Sequence, residues 1–217
     1  MTHRRHRLLL AALLLPALAT GCGSDAGGGT AALSLSGLTE TADKVPDAGA
    51  GTCPLPYDIA AAAKTAGIDG AAGPGPVRDE GEPVATAEGG KRAEAGEPLA
   101  ENPGVLVSCA FHIGGEDVPV HTVATRSPQA LAPLAPVIQM LSGASVDGLS
   151  AYLRQTGDAE AGDAVVTESG NVAAVRLALT GDGDAYLLVG LGEAGAGAPA
   201  REQQVSDLAR ALADQVG

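Results

Sequence analysis

Val105-Leu-Val-Ser-Cys-Ala-Phe-His112, then Gly114-Gly-Glu-Asp117, then Val118-Pro-Val-His-Thr122, is the stretch on which the fold turns. Val105, Val107, Cys109 and Phe111 alternate with Leu106, Ser108, Ala110 and His112, the two-residue period of a strand with one apolar face. Val118, Val120 and Thr122 repeat the pattern after a glycine-rich turn, so the two segments read as a β-hairpin. A four-residue loop pairs Phe111 with Val120 and Cys109 with Thr122. That register puts Cys109 on the apolar face and both His112 and His121 on the other face, offset by two residues.

Outward toward the C-terminus, three further strands are expected at about 163–168, 171–180 and 184–191, with Gly181-Asp-Gly-Asp184 as a solvated hairpin turn between the last two. Pro199 opens a terminal helix on which Val205, Leu208, Ala209, Leu212 and Val216 form one stripe. Ser145 caps a helix through Gln155, with Val146, Leu149, Tyr152 and Leu153 inward. Residues 127–143 are apolar but carry Pro133 and Pro136, so they read as broken helical turns. Before the hairpin, Leu55, Ile59, Ala62 and Ala66 share a face of a short helix that ends at Gly67. The sum is a small single α+β domain: an antiparallel sheet, helices packed mainly on one face, and a C-terminal amphipathic helix.

The remaining segments are poor in large apolar side chains. The chain has 217 residues, of which 43 are Ala and 31 Gly, whereas Leu, Ile, Val and Phe together number 47. Seven of those Leu lie in the first twenty residues, so the core is thin and room for a second domain is lacking. Residues 69–103, almost all Gly, Pro, Glu and Ala, read as a disordered insertion inside a domain spanning 53–217. Residues 22–52 read as a flexible tether with a typical end-to-end distance of roughly 30 Å. Acidic residues outnumber basic ones 26 to 13, which excludes a nucleic-acid binder working by phosphate neutralisation.

The N-terminus carries an address. Arg4, Arg5 and Arg7 precede an apolar run from Leu8 to Ala19, too short to span a bilayer and of signal-peptide length. Leu18-Ala-Thr-Gly-Cys22 resembles a bacterial lipobox. The resemblance implies removal of residues 1–21 by cleavage between Gly21 and Cys22, and a diacylglycerol on the Cys22 sulfur. Two acyl chains anchor stably where one does not. The mature chain keeps 10 basic residues against 26 acidic ones, a formal charge of −16, so the lipid rather than the protein surface holds it to the membrane. The expected location is the outer face of the cytoplasmic membrane. With Cys22 taken by lipid in a chain that has left the cytoplasm, Cys53 and Cys109 most simply pair as a disulfide. The alternative, a pair of metal-binding thiolates, lacks C-x-x-C spacing and a neighbouring His. The lipobox, Cys53 ahead of a helix, the Cys109-Ala-Phe111 strand and the Leu/Ala-striped terminal helix together resemble small secreted lipoproteins of actinobacteria. That resemblance brings no catalytic residues with it.

Two candidate sites follow from residue chemistry. His112 and His121 are weak metal candidates, with Glu116 or Asp117 as a further ligand; the alternative is two polar residues on an exposed sheet face. Leu131, Leu134, Ile138 and Met140 either form a lip over an apolar ligand pocket or simply cover the small core. No G-x-S-x-G, S-x-x-K or H-E-x-x-H occurs, so no nucleophile and base are singled out. The expectation is a non-catalytic module without a cofactor, binding a small apolar ligand or an envelope protein. A structural or assembly component of an envelope complex is the second reading, and an enzyme with an unrecognised site the third.

Overall fold

Strand β3 (Gly104–Ile113) is the hub of the computed structural model, which describes residues 32–77, 81–194 and 199–217. The expected signal peptide, the expected cleavage and lipid-attachment residues Gly21 and Cys22, and the first part of the expected tether lie outside the described residues. β3 pairs along its whole length with β4 (Glu116–Thr125) through a two-residue Gly114-Gly115 turn. Gly114 has φ +62°, as the first position of a II′ turn requires. The tighter turn corrects the expected register: Phe111 faces Val118 and Cys109 faces Val120. The shift is two residues, so every side chain keeps its expected face.

β4 pairs with β7 (Asp184–Gly190), β7 with β6 (Val172–Arg176), and β6 with β5 (Ala164–Val166), all antiparallel. The strands at 163–168, 171–180 and 184–191 are thus present in shortened form. On its other side β3 carries two short strands, β1 (Ala72–Pro74) opposite residues 111–113 and β2 (Ala85–Gly89) opposite 105–109. These lie in the segment expected to be a disordered insertion, and they correct that reading. Their stability comes from backbone bonds to a strand already held by the core, which small side chains do not prevent.

The expected tether is corrected in the same way from residue 32 onward. Helix α1 (Leu35–Ala42) is capped by Ser34, whose Oγ accepts the Gly37 N–H at 3.0 Å, and it buries Leu38 and Ala42. Arg92, from the same supposed insertion, closes the far end. Its guanidinium donates to the Ala42 carbonyl at 2.9 Å and to that of Val45, and pairs with Asp47 at 3.0 Å. The Ala42 carbonyl also accepts the Val45 N–H at 2.9 Å, so the turn and the Arg92 side chain together close the helix and fasten 90–92 to the end of α1.

Helix α2 (Ile59–Thr65) follows the N-cap Asp58, and Gly67 adopts the left-handed conformation just beyond it. The Cys53–Cys109 disulfide fastens the approach to α2 onto the centre of β3. Beside it, the Tyr57 and Thr122 hydroxyls share a 2.6 Å hydrogen bond, and the Tyr57 ring meets Phe111 edge-on at 6.4 Å. A single helical turn, α3 (Pro98–Glu101), precedes β3. After β4 a 3₁₀ turn (Ala132–Leu134) runs into α4 (Ala135–Ser142), with Pro136 in its first turn, where a missing N–H costs nothing. α5 (Val146–Asp158) starts at Ser145, whose Oγ accepts the Gly148 N–H at 3.1 Å. α6 (Pro199–Ala213) closes the domain, and Val205, Leu208, Ala209, Leu212 and Val216 are all buried.

The α+β class and the antiparallel sheet are as read from sequence, but the helices occupy both faces rather than mainly one. Odd-numbered β3 residues from Val105 to Ile113 pack with α1, α2 and α6. Leu106, Val123, Tyr186 and Leu188 pack on the opposite face with Leu134 and Ile138 of the 130s and Tyr152 of α5. β7 is buried at every position from Asp184 to Gly190, which a strand with one solvated face is not. Among the described residues no helix is long and apolar enough to cross a membrane.

Candidate functional site

Asp184 is the first residue of β7, and its side chain is only 4% exposed. A carboxylate so buried must be matched by donors or it destabilises the fold. Arg176, the last residue of β6, donates from Nε to Oδ1 at 3.1 Å. The backbone N–H groups of Gln129 and Ala130 both donate to Oδ2, at 3.0 and 3.2 Å. Delivering two successive N–H groups to one oxygen requires an unusual backbone. Gln129 has φ +73°, the sole non-glycine residue with positive φ among the described residues. Holding it there costs on the order of 1–3 kcal/mol. Three charge-assisted hydrogen bonds to one carboxylate offset that strain.

The same elements wall a cleft of about 490 Å³. Pro128, Leu131 and Leu153 supply apolar wall; Arg154, Asp158 and Arg176 supply charge. Arg176 is fixed further by a bond from Nη1 to the Ala159 carbonyl at 3.2 Å. Tyr186 also lines the cleft, and its hydroxyl donates to the Thr156 carbonyl at 3.1 Å. Its pKa is raised by burial first and by the charge of Asp184 second, so it stays a phenol at neutral pH. Among the described residues lining the cleft, the Thr156 and Tyr186 hydroxyls both donate to backbone carbonyls. The chemistry of the cleft is that of a preset hydrogen-bonding surface with an apolar side.

A larger hollow, of about 830 Å³, lies between α1 and residues 90–104. It starts at Ser34, close to the first described residue, and the Lys91 ammonium at its edge is 87% exposed. Glu40, Lys91, Arg126 and Asp182 along it are exposed, and Asp43, which pairs with Lys91, keeps 21% of its side chain exposed against 4% for Asp184.

The candidates read from sequence fare differently. Cys53 and Cys109 are joined. His112 and His121 share a face of the hairpin but stand four residues apart along the ladder, opposite Asp117 and Ser108. The expected two-residue offset is thereby corrected, and the pair cannot close on one ion. His112 donates from Nδ1 to the Gly75 carbonyl at 2.9 Å, and His121 Nδ1 shares a 2.8 Å bond with Ser108 Oγ. Among the described residues no group of three or more His, Cys, Asp or Glu is arranged to hold a metal. Leu134 and Ile138 are core residues 1% and 0% exposed, and Met140 is 75% exposed, so the four apolar candidates do not form one lip. Leu131, itself buried, alone among them lines the Asp184 cleft.

Gln129, Arg154, Arg176 and Asp184 were not singled out by sequence. Asp184 reads as part of a solvated Gly-Asp-Gly-Asp turn. The available signal is that it leads directly into the unbroken apolar run Ala185–Val189, where an acid needs a partner. Nothing in the sequence marks Gln129 as left-handed. Comparison with family models, with curated proteins and with solved structures gives no match.

Burial pushes the His121 pKa down to about 4. The unfolded chain therefore takes up this proton first, near pH 6.5, so the contribution is complete above that pH and is lost as pH falls toward 4. Urea melts at pH 7.5 and 4.5 should show the wild type losing about 2 kcal/mol more than His121→Gln between the two. Equal losses would mean that His121 is solvated.

Proposed function

We propose that this chain is a lipid-tethered extracytoplasmic lipoprotein whose domain is a non-catalytic module that binds a small ligand in the Arg176–Asp184 cleft. The observation that carries the binding reading is the left-handed Gln129, held against a buried carboxylate at the wall of a cleft of ligand size. Backbone strain of this kind clusters at ligand clamps and active sites. The lipobox at Leu18–Cys22 supports the tether, and the oxidised Cys53–Cys109 pair is consistent with a compartment outside the cytoplasm.

Native mass spectrometry tests the binding reading on residues 22–217 carrying Cys22→Ser, secreted through an oxidising compartment. A bound small molecule that leaves on denaturation, and is absent from Asp184→Ala, is the expected result. A clean apo mass with protein subunits co-purifying would instead favour the assembly role.

A further inference from the structure

We infer that the ligand of the Arg176–Asp184 cleft is a small molecule with a carboxylate head on a short apolar body. The inference rests on the ligand-binding reading above and adds the chemistry of what is bound. Arg176 is anchored through Nε and Nη1, while Nη2 has no hydrogen-bond partner among the described residues. A planar guanidinium fixed on two of its nitrogens has little orientation left to lose when it binds an anion. The Arg154 side chain, from α5 on the same cleft, makes no hydrogen bond or ion pair among the described residues.

The free donors, rather than a net charge, decide the sign of the ligand: Arg154 and Arg176 are balanced by Asp158 and Asp184. Both Asp184 oxygens are committed to Arg176 and to the Gln129 and Ala130 N–H groups, so Asp184 and Arg176 form a neutral pair, and what stays open to a ligand is donor capacity, at Arg176 Nη2 and on Arg154. Asp158 at the exposed end of α5 opposes Arg154 and is the one uncommitted acid of the cleft. In a chain whose mature part carries −16, a hollow lined by two arginines that keep free N–H groups is a place where an anion is tolerated. Pro128, Leu131 and Leu153 beside those guanidiniums favour an apolar body over a bare inorganic ion. A guanidinium fork matches the two oxygens of a carboxylate.

Hexanoate and 1-hexanol share one apolar body and differ in the head. They can be titrated into ¹⁵N-labelled residues 22–217 carrying Cys22→Ser, at constant ionic strength, following amide shifts. Saturable shifts at Gln129, Ala130 and residues 153–158 are expected, with hexanoate binding about tenfold tighter than hexanol. Arg154→Gln should weaken hexanoate about tenfold and leave hexanol unchanged; Arg154 is exposed, and an unaltered melting curve confirms that the variant folds. Equal binding of the two compounds, or no effect of Arg154→Gln, would overturn the carboxylate and leave a cleft for neutral ligands. No saturable shift with hexanoate also overturns it; only an apo mass in the native spectrum would remove the binding reading as well.

Discussion

Replacing Cys53 and Cys109 together by alanine should lower the stability of the domain by about 4 kcal/mol. The two cysteines are 56 residues apart, and closing a loop of that size removes about that much chain entropy from the unfolded state. Two native features add to the effect. Cys53 leads into α2, whose Ile59, Ala62 and Ala63 belong to the larger core. Cys109 sits at the middle of β3, with β2 on one side and β4 on the other. The enclosed loop contains α2, β1, β2 and α3, in which Ile59 and Leu99 are the only large apolar side chains. Equilibrium urea unfolding of the double variant and the wild type measures the difference directly. A melting temperature lowered by roughly 10 °C is the corresponding thermal signature for a domain of this size. A loss under 1 kcal/mol would show that packing alone, through Tyr57 and Ile59, holds the segment in place.

Asp184→Ala is the second large effect, a loss of about 3 kcal/mol. The change strips Arg176 of its counter-charge and leaves the N–H groups of Gln129 and Ala130 without their acceptor. Breaking a buried pair from one side costs about 3–5 kcal/mol, and the partial exposure of Arg176 places this case at the low end. Gln129 would also lose the bonds that hold it left-handed, so the 128–132 segment should relax and its amides exchange faster. Asp184→Asn keeps one acceptor oxygen and should cost less. Asp182→Ala, at an exposed position two residues away, should be neutral. If Asp184→Ala proves as mild as Asp182→Ala, the carboxylate is not what shapes the cleft.

What the sequence made legible is the part governed by periodicity. The β3–β4 hairpin, the α6 stripe and the Ser145 cap all follow from spacing, and each is in the structure. What it hid is the part made of small residues. Ala72-Gly-Pro74 and Ala85-Thr-Ala-Glu-Gly89 have no apolar alternation, because their place is fixed by backbone pairing to β3. α1 was hidden by its Ser- and Thr-rich composition, although Leu38 points into the core. The second core was hidden because the even face of β3 reads as mixed after Leu106, while β6 and β7 supply Val172, Ala174, Tyr186 and Leu188 to that side. The cleft was hidden for a different reason. It depends on a backbone conformation at Gln129 and on an acid turned inward from a turn-like sequence, and neither has a periodic signature.

The disulfide and access to an extracellular ligand both presuppose the extracytoplasmic compartment proposed from the lipobox resemblance of Leu18–Cys22. Metabolic labelling with palmitate, followed by membrane fractionation, compares the full-length wild type with Cys22→Ser. Label on the wild type, its recovery with membranes, and an unlabelled, membrane-free Cys22→Ser chain are the results expected of a lipid-tethered module. A wild type that takes up no label and stays in the soluble fraction would contradict it.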